Sequence, residues 1–196
     1  PDPTNATAFT TVTQYAYDSL GNKTAQIDAL GRSTTFEYTV RNELQKRTRP
    51  LLKFESFTYD EQGNLKTRTS FATQTASYDY NSLNQLVKKN FPDGSTHKIG
   101  YTAGGQRASW TITPFGGSPE TTSLAYDNRN RLLSQTNADS VVISWGYDEA
   151  SNRTKVETSF QTVTYSFTAR NELHEVFKNG TLWAGYGYDA VGNRAS

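Results

Sequence analysis

Residues 17–22 read Tyr17-Asp18-Ser19-Leu20-Gly21-Asn22, and 42 residues later the chain reads Tyr59-Asp60-Glu61-Gln62-Gly63-Asn64. An aromatic residue followed at once by a carboxylate, with Gly three residues further on, is the end of a strand running into a tight turn. The Asp side chain accepts backbone amides two residues ahead, and Gly supplies a positive φ without steric cost. Working outward from these stretches, an aromatic anchor recurs at Tyr17, Tyr38, Tyr59, Tyr80, Tyr101, Tyr126, Tyr147, Phe167 and Tyr188. Successive intervals are 21, 21, 21, 21, 25, 21, 20 and 21 residues, a regularity that aromatics making up 13% of the sequence would not reach by chance. A fixed period of this length marks a repeat architecture.

Aligned on the anchor, position −2 holds Tyr15, Phe36, Phe57, Tyr78, Ile99, Leu124, Trp145, Tyr165 and Tyr186, while position −1 is small or polar. Alternation with period two is a strand with one face buried. Position +1 is Asp, Asn or Thr, with Asp18, Asp60, Asp127, Asp148 and Asp189 carrying the charge. Position +4 is Gly21, Asn42, Gly63, Asn84, Gly105, Asn130, Ser151, Asn171 or Gly192, mostly the residues that tolerate positive φ best. The combination predicts a type I turn followed by a left-handed residue and a bulge, after which the chain returns as a second strand. Closing turns such as Pro92-Asp93-Gly94 and Asn179-Gly180 complete each period, and the 25-residue interval is a longer loop over Thr113–Pro119.

Gly-Asn at +4 and +5 falls in odd units, whereas even units carry Asn at +4 with Leu at +6, so the underlying period is a 42-residue pair. Either different surroundings or duplication of two ancestral copies would produce that alternation. The expected fold class is all-β: tandem antiparallel β-hairpin repeats of about 21 residues in a curved or spiralling sheet, with residues 1–14 a lead-in strand or linker and 15–196 nine repeats, the last truncated. Nine two-strand units exceed the roughly 10 strands at which a twisted open sheet must curl, close or split.

Composition agrees. Thr, with 28 residues, and the 12 Tyr and 10 Phe favour strands. There is no Cys, hence no disulfide, thiolate nucleophile or thiolate-bound metal. A net charge of +1 gives no reason to expect a nucleic-acid partner, and the longest aliphatic run, Val141-Val142-Ile143, is far short of a membrane-inserting helix of roughly 20 residues.

The stretches Tyr17–Asn22 and Tyr59–Asn64, together with Tyr147-Asp148, Asn152-Arg153 and Tyr188-Asp189-Ala190-Val191-Gly192-Asn193-Arg194, resemble the tyrosine-aspartate repeats of the Rhs family. That family includes bacterial Rhs proteins, BC components of insecticidal toxin complexes, wall-associated proteins and teneurins. The resemblance implies a hairpin ribbon coiled into a hollow shell, secreted or at a bacterial cell surface, often enclosing a C-terminal toxic payload. Partners would then be the remaining repeats and that payload. The self-cleaving aspartates of such proteins have no counterpart here, and the one Asp-Pro is Asp2-Pro3.

No catalytic, cofactor or metal site is expected. His97 and His174 stand far apart, and the repeated aspartates are accounted for as turn caps rather than a calcium ladder, since neighbouring units replace them with Thr or Asn. The basic run from Arg41 to Arg49 reads as a solvated face. Asn5, Asn22, Asn152 and Asn179 lie in Asn-x-Ser/Thr sequons that matter only in a eukaryotic host. The alternative to a shell wall is a surface module that binds carbohydrate through exposed aromatics, with Trp110, Trp145 and Trp183 as candidates. Unpaired strand edges would also allow self-association.

Overall fold

The computed structural model describes residues 13–195, so the expected lead-in over residues 1–14 lies almost wholly outside the described residues, as do Asp2-Pro3 and the Asn5 sequon. The elements are β1 (Gln14–Tyr17), β2 (Lys23–Ile27), β3 (Ser33–Tyr38), β4 (Leu44–Thr48), β5 (Phe54–Tyr59), β6 (Leu65–Thr69), β7 (Thr75–Tyr80), β8 (Leu86–Asn90), β9 (Thr96–Tyr101), β10 (Arg107–Thr113), β11 (Glu120–Tyr126), β12 (Leu132–Thr136), β13 (Val142–Tyr147), β14 (Arg153–Glu157), β15 (Thr162–Phe167), β16 (Leu173–Lys178) and β17 (Thr181–Gly185). One 3-10 turn, Pro50–Leu52, is the only helical element among the described residues. The chain is all-β. Nine repeats would supply eighteen strands; seventeen form, and the return of the ninth repeat is a single bridge between Tyr188 and Arg194.

The chain divides into two compact units at Thr96/His97. Within the first, each strand pairs antiparallel with the next, from β1–β2 through to β7–β8. Within the second the same meander runs from β10–β11 to β16–β17. Sequence neighbours become sheet neighbours because connections of a few residues allow nothing else.

Register follows from the turn. The ladder slips by one residue just before the anchor, at Ala16/Tyr17, Glu37/Tyr38, Thr58/Tyr59, Asp79/Tyr80, Ala125/Tyr126, Gly146/Tyr147 and Ser166/Phe167. Each of these anchors thereby faces the residue at +6, as Tyr38 faces Leu44 and Tyr59 faces Leu65. All nine residues at +4 have positive φ, from 58° at Asn84 to 88° at Gly192.

Burial is shallower than the alternation led one to expect. Among the described residues Val176, 4% exposed, is the one fully buried apolar residue, and most anchors are half-buried, with Tyr17 still 60% exposed. The reason is that each unit is a single layer of strands. A side chain on such a layer is covered only by its lateral neighbours, with no second layer to close over it.

At Gly21 the backbone sits at φ +86° and an added Cβ would meet nothing within 4 Å, so a substitution there isolates the conformational term. Gly21→Ala is expected to cost about 1 kcal/mol, the strain of a left-handed L-residue, and Gly21→Asn less than half of that. Urea denaturation of the two variants beside the parent chain checks the order.

Candidate functional site

The residues that recur most strictly meet at the rim formed by the anchor turns. In repeat one, Asp18 Oδ1 accepts the amides of Leu20 (2.9 Å) and Asn22 (2.8 Å), while Oδ2 accepts the Asn22 side-chain amide (2.9 Å). Asp60 does the same with Gln62 and Asn64, and Asp189 with Val191 and Asn193. Where Thr replaces Asp, as at Thr39, its Oγ1 accepts the amides of Arg41 and Glu43 and donates to the Glu43 carboxylate. These contacts hold the carboxyl pKa of Asp18, Asp60 and Asp148 below the ordinary value, chiefly through the side-chain amide of Asn22, Asn64 and Asn152 respectively. In Asp127 and Asp189 the first cause of the same lowering is the backbone amide of Arg131 and Asn193.

From one turn to the next, two kinds of link alternate. An odd repeat donates through the Asn at +5 to the Asn at +4 of its even neighbour: Asn22 Nδ2 to Asn42 Oδ1 at 3.1 Å, Asn64 to Asn84 at 2.9 Å, Asn152 to Asn171 at 2.9 Å. An even repeat donates through the Arg at +3 to a backbone carbonyl of the following odd turn: Arg41 to Glu61 O at 2.7 Å, Arg129 to Glu149 O at 2.7 Å, Arg170 to Ala190 O at 3.0 Å. The 42-residue alternation is thus a difference of surroundings with a stated chemistry. Arg41, though exposed, is therefore tied to the neighbouring turn. Arg47 of the same run is tied as well, since its guanidinium pairs with the buried Glu55, 2% exposed, which Arg68 also holds at 2.9 Å.

A third link lies one layer in. The anchor hydroxyl donates to the backbone carbonyl at +6 of the preceding repeat: Tyr38 to Lys23 O (3.0 Å), Tyr59 to Leu44 O (2.9 Å), Tyr126 to Arg107 O (3.0 Å), Tyr147 to Leu132 O (3.0 Å) and Tyr188 to Leu173 O (2.9 Å). Burial pushes the hydroxyl pKa of Tyr59 and Tyr80 up. Sequence reasoning treated the anchors as apolar bulk and missed these bonds. The available signal was the choice of Tyr over Phe at eight of nine anchors.

The other candidates stay apart. Trp110 lies half-buried on β10, Trp145 half-buried on β13, and Trp183 on β17 is 74% exposed. With whole strands between them, the three do not share a groove. His97 on β9 and His174 on β16 are separated by β10 to β15. A groove of about 520 Å³ at the rim is lined by Asp60, Gln62, Lys66, Tyr78, Tyr80, Asn81, Ser82 and Asn84, a turn-capping and anchor set. Among the described residues no cluster of three His, Asp or Glu could hold a metal ion, and no helix is long and apolar enough to cross a membrane.

A meander of bulged hairpins whose turns and anchors each bond to the next repeat defines a tandem β-repeat scaffold. The RHS Repeat family model matches residues 17–51 and 126–164, so these two stretches are Rhs repeats. The chain is 39% identical over 187 residues to the tRNA3(Ser)-specific nuclease WapA of Bacillus spizizenii and equally to the tRNA nuclease WapA of Bacillus subtilis, spanning 92% of this chain and 8% of each relative. Among solved structures, the TcdB2-TccC3-Cdc42 crystal structure matches with a TM-score of 0.57 at 13% identity, over 93% of this chain and 12% of that one. TcdB2-TccC3 without its hypervariable C-terminal region matches with a TM-score of 0.56 at 13% identity, over 91% and 12%. This chain is therefore a small part of the length of the proteins it resembles, and the structural likeness is one of fold.

Tyr59→Phe deletes one hydroxyl and leaves the Leu44 carbonyl without that donor, so it is expected to cost about 1 kcal/mol; Tyr59→Ala, which also strips a half-buried ring, should cost roughly 2 to 3 kcal/mol. Denaturant titration of both variants separates hydroxyl from ring. The lowered carboxyl pKa values also set a pH dependence. Ionised turn aspartates stabilise the fold fully above the ordinary carboxylate value, and that contribution disappears as pH falls from about 4 through the folded values. Melting temperature is expected to be level from neutral pH down to that point and to drop below it, less steeply in Asp60→Asn.

Proposed function

We propose that the chain is a non-enzymatic wall segment of a larger secreted or surface-exposed bacterial protein, in which such repeats enclose a polypeptide payload. The observation that carries this reading is how the repeated side chains are used. The hydroxyls of Tyr38, Tyr59, Tyr126, Tyr147 and Tyr188, the aspartates at +1, the asparagines at +4 and +5 and the arginines at +3 bond within a repeat or to a neighbouring one. No convergent set of nucleophile, base and orienting group remains among the described residues. A catalytic site needs such groups in mutual reach; a wall needs each unit tied to its neighbours. The relatives named as nucleases are more than ten times longer than the matched stretch, which leaves ample chain to carry chemistry outside the repeats.

Two measurements test it. The purified 196-residue chain is expected to leave tRNA uncut, and cleavage that copurifies with the folded chain would overturn the non-enzymatic reading. In the parent protein, a payload inside the wall should resist added protease and become digestible when Tyr59→Ala and Tyr147→Ala loosen the array. Equal digestion of the payload in parent and variant would overturn enclosure.

A further inference from the structure

At position +9 the anchor face of the first unit carries cations that the second unit does not. Position +9 lies directly opposite position −2 across each hairpin and shares its face: Phe36 faces Arg47, Phe57 faces Arg68 and Tyr78 faces Lys89. In the second unit the same position holds Trp110, Gln135, Val156 and Val176, all uncharged. The same repeat position therefore carries the uncharged Gln26 and then three cations in the first unit, and no cation in the second.

Those cations, with Lys23 and Arg49, lie against rings, as Arg131, Arg153 and Arg194 do in the second unit. Lys23 Nζ is 4.5 Å from the Phe36 ring centre, Arg49 is 4.1 Å from Phe71, and Lys89 is 4.4 Å from Phe91. Arg47 and Arg68 stand over Phe71 and Phe57 at 5.2 and 5.9 Å. Within the strands β1 to β8, the single carboxylate on this face is Glu55, which takes both Arg47 and Arg68. Lys23, Arg49 and Lys89 have no ion-pair partner among the described residues. The other acidic groups of this unit lie elsewhere: Asp18, Asp28, Asp60 and Asp93 are bound into turns, Glu43 accepts from Thr39 in its turn, and Glu61 is an exposed turn residue. Glu37 pairs with Lys46 on the opposite face, and Asp79 accepts from Asn90 there. A nearly neutral chain has thus sorted its charge by face, leaving like charges aligned at a mutual cost that a complementary partner would relieve.

We propose that the anchor face of residues 13–96 is a docking surface for an acidic, extended polypeptide segment. Equivalent positions one repeat apart are two strand spacings apart, about 10 Å, which matches carboxylates three residues apart along an extended chain laid across the strands. A single-stranded nucleic acid fits less well. Base binding relies on open ring faces for stacking, and here the cations of the chain itself occupy those faces. The proposal rests on the reading of the chain as a wall that meets a polypeptide, and it adds the charge of the segment met and the face that meets it.

The test is a fluorescence-anisotropy titration of the full 196-residue chain with a labelled peptide of about 15 residues carrying Glu at every third position. A Lys-substituted peptide and oligothymidine serve as comparison probes. Arg49→Gln combined with Lys89→Gln removes two cations and leaves the Glu55 cluster intact; Lys98→Gln with Lys155→Gln, on the opposite face of the second unit, is the control. The acidic peptide is expected to bind best, to weaken at high salt, and to lose roughly threefold to tenfold in affinity in the first variant, the effect of two exposed charge pairs, with no change in the control. Arg49→Lys with Lys89→Arg should keep binding, which separates charge from any loss of fold. Equal binding to the parent chain and the charge-deleted variant, or no binding at low salt, would overturn the surface. Tighter binding of oligothymidine that the same variant abolishes would overturn the polypeptide assignment. None of these outcomes bears on enclosure, which the protease experiment decides separately.

Discussion

A hairpin of about 21 residues cannot cover its own aromatic stripe. Two strands present a half-exposed face and an unpaired edge on each side, and an isolated pair is marginal in water. Every other feature of the described structure answers that constraint. The ladder hydrogen bonds pair each edge with the next strand, the anchor hydroxyl reaches back to the preceding repeat's carbonyl, and the turn side chains cross to the following turn. Since the layer remains single, these lateral links replace the core that a sandwich would have, and Val176 alone among the described apolar residues is fully buried.

This explains why polar residues are the most regular part of the pattern. In a two-layer fold the recurrent positions are apolar, because burial there is complete and shape decides stability. Here burial is partial, so directional bonds carry a larger share. A carboxylate accepting three donors within a turn, as Asp18 does, fixes the turn without any packing. The alternation of Asn-to-Asn and Arg-to-carbonyl links also gives each turn different neighbours on its two sides, which a uniform repeat could not do.

The surface left over is where units can diverge. Position +9 lies opposite position −2 and takes residues as different as Gln26, Arg47, Lys89 and the buried Val176 without disturbing the ladder. The scaffold is held by the anchors and turns, so this column can differ between the first and second units at small cost to the fold.

Much of this was legible in the residues. The period, the end of each strand at its aromatic, the positive φ at +4 and the bulge are local consequences of side-chain size, carboxylate reach and Gly or Asn tolerance, and each acts within five or six residues of chain. The repeat family followed from the same stretches. What the residues by themselves left open were the relations that depend on which atoms arrive side by side from some 15 to 20 residues away: the Tyr59 hydroxyl on Leu44 O, Asn64 on Asn84, Arg41 on Glu61 O, and Glu55 between Arg47 and Arg68. A basic run read along the chain looked solvated because sequence order hides the strand opposite. Only the register of neighbouring strands, set jointly by every turn and bulge, brings those partners within bonding distance and decides which charges are used and which remain on the face.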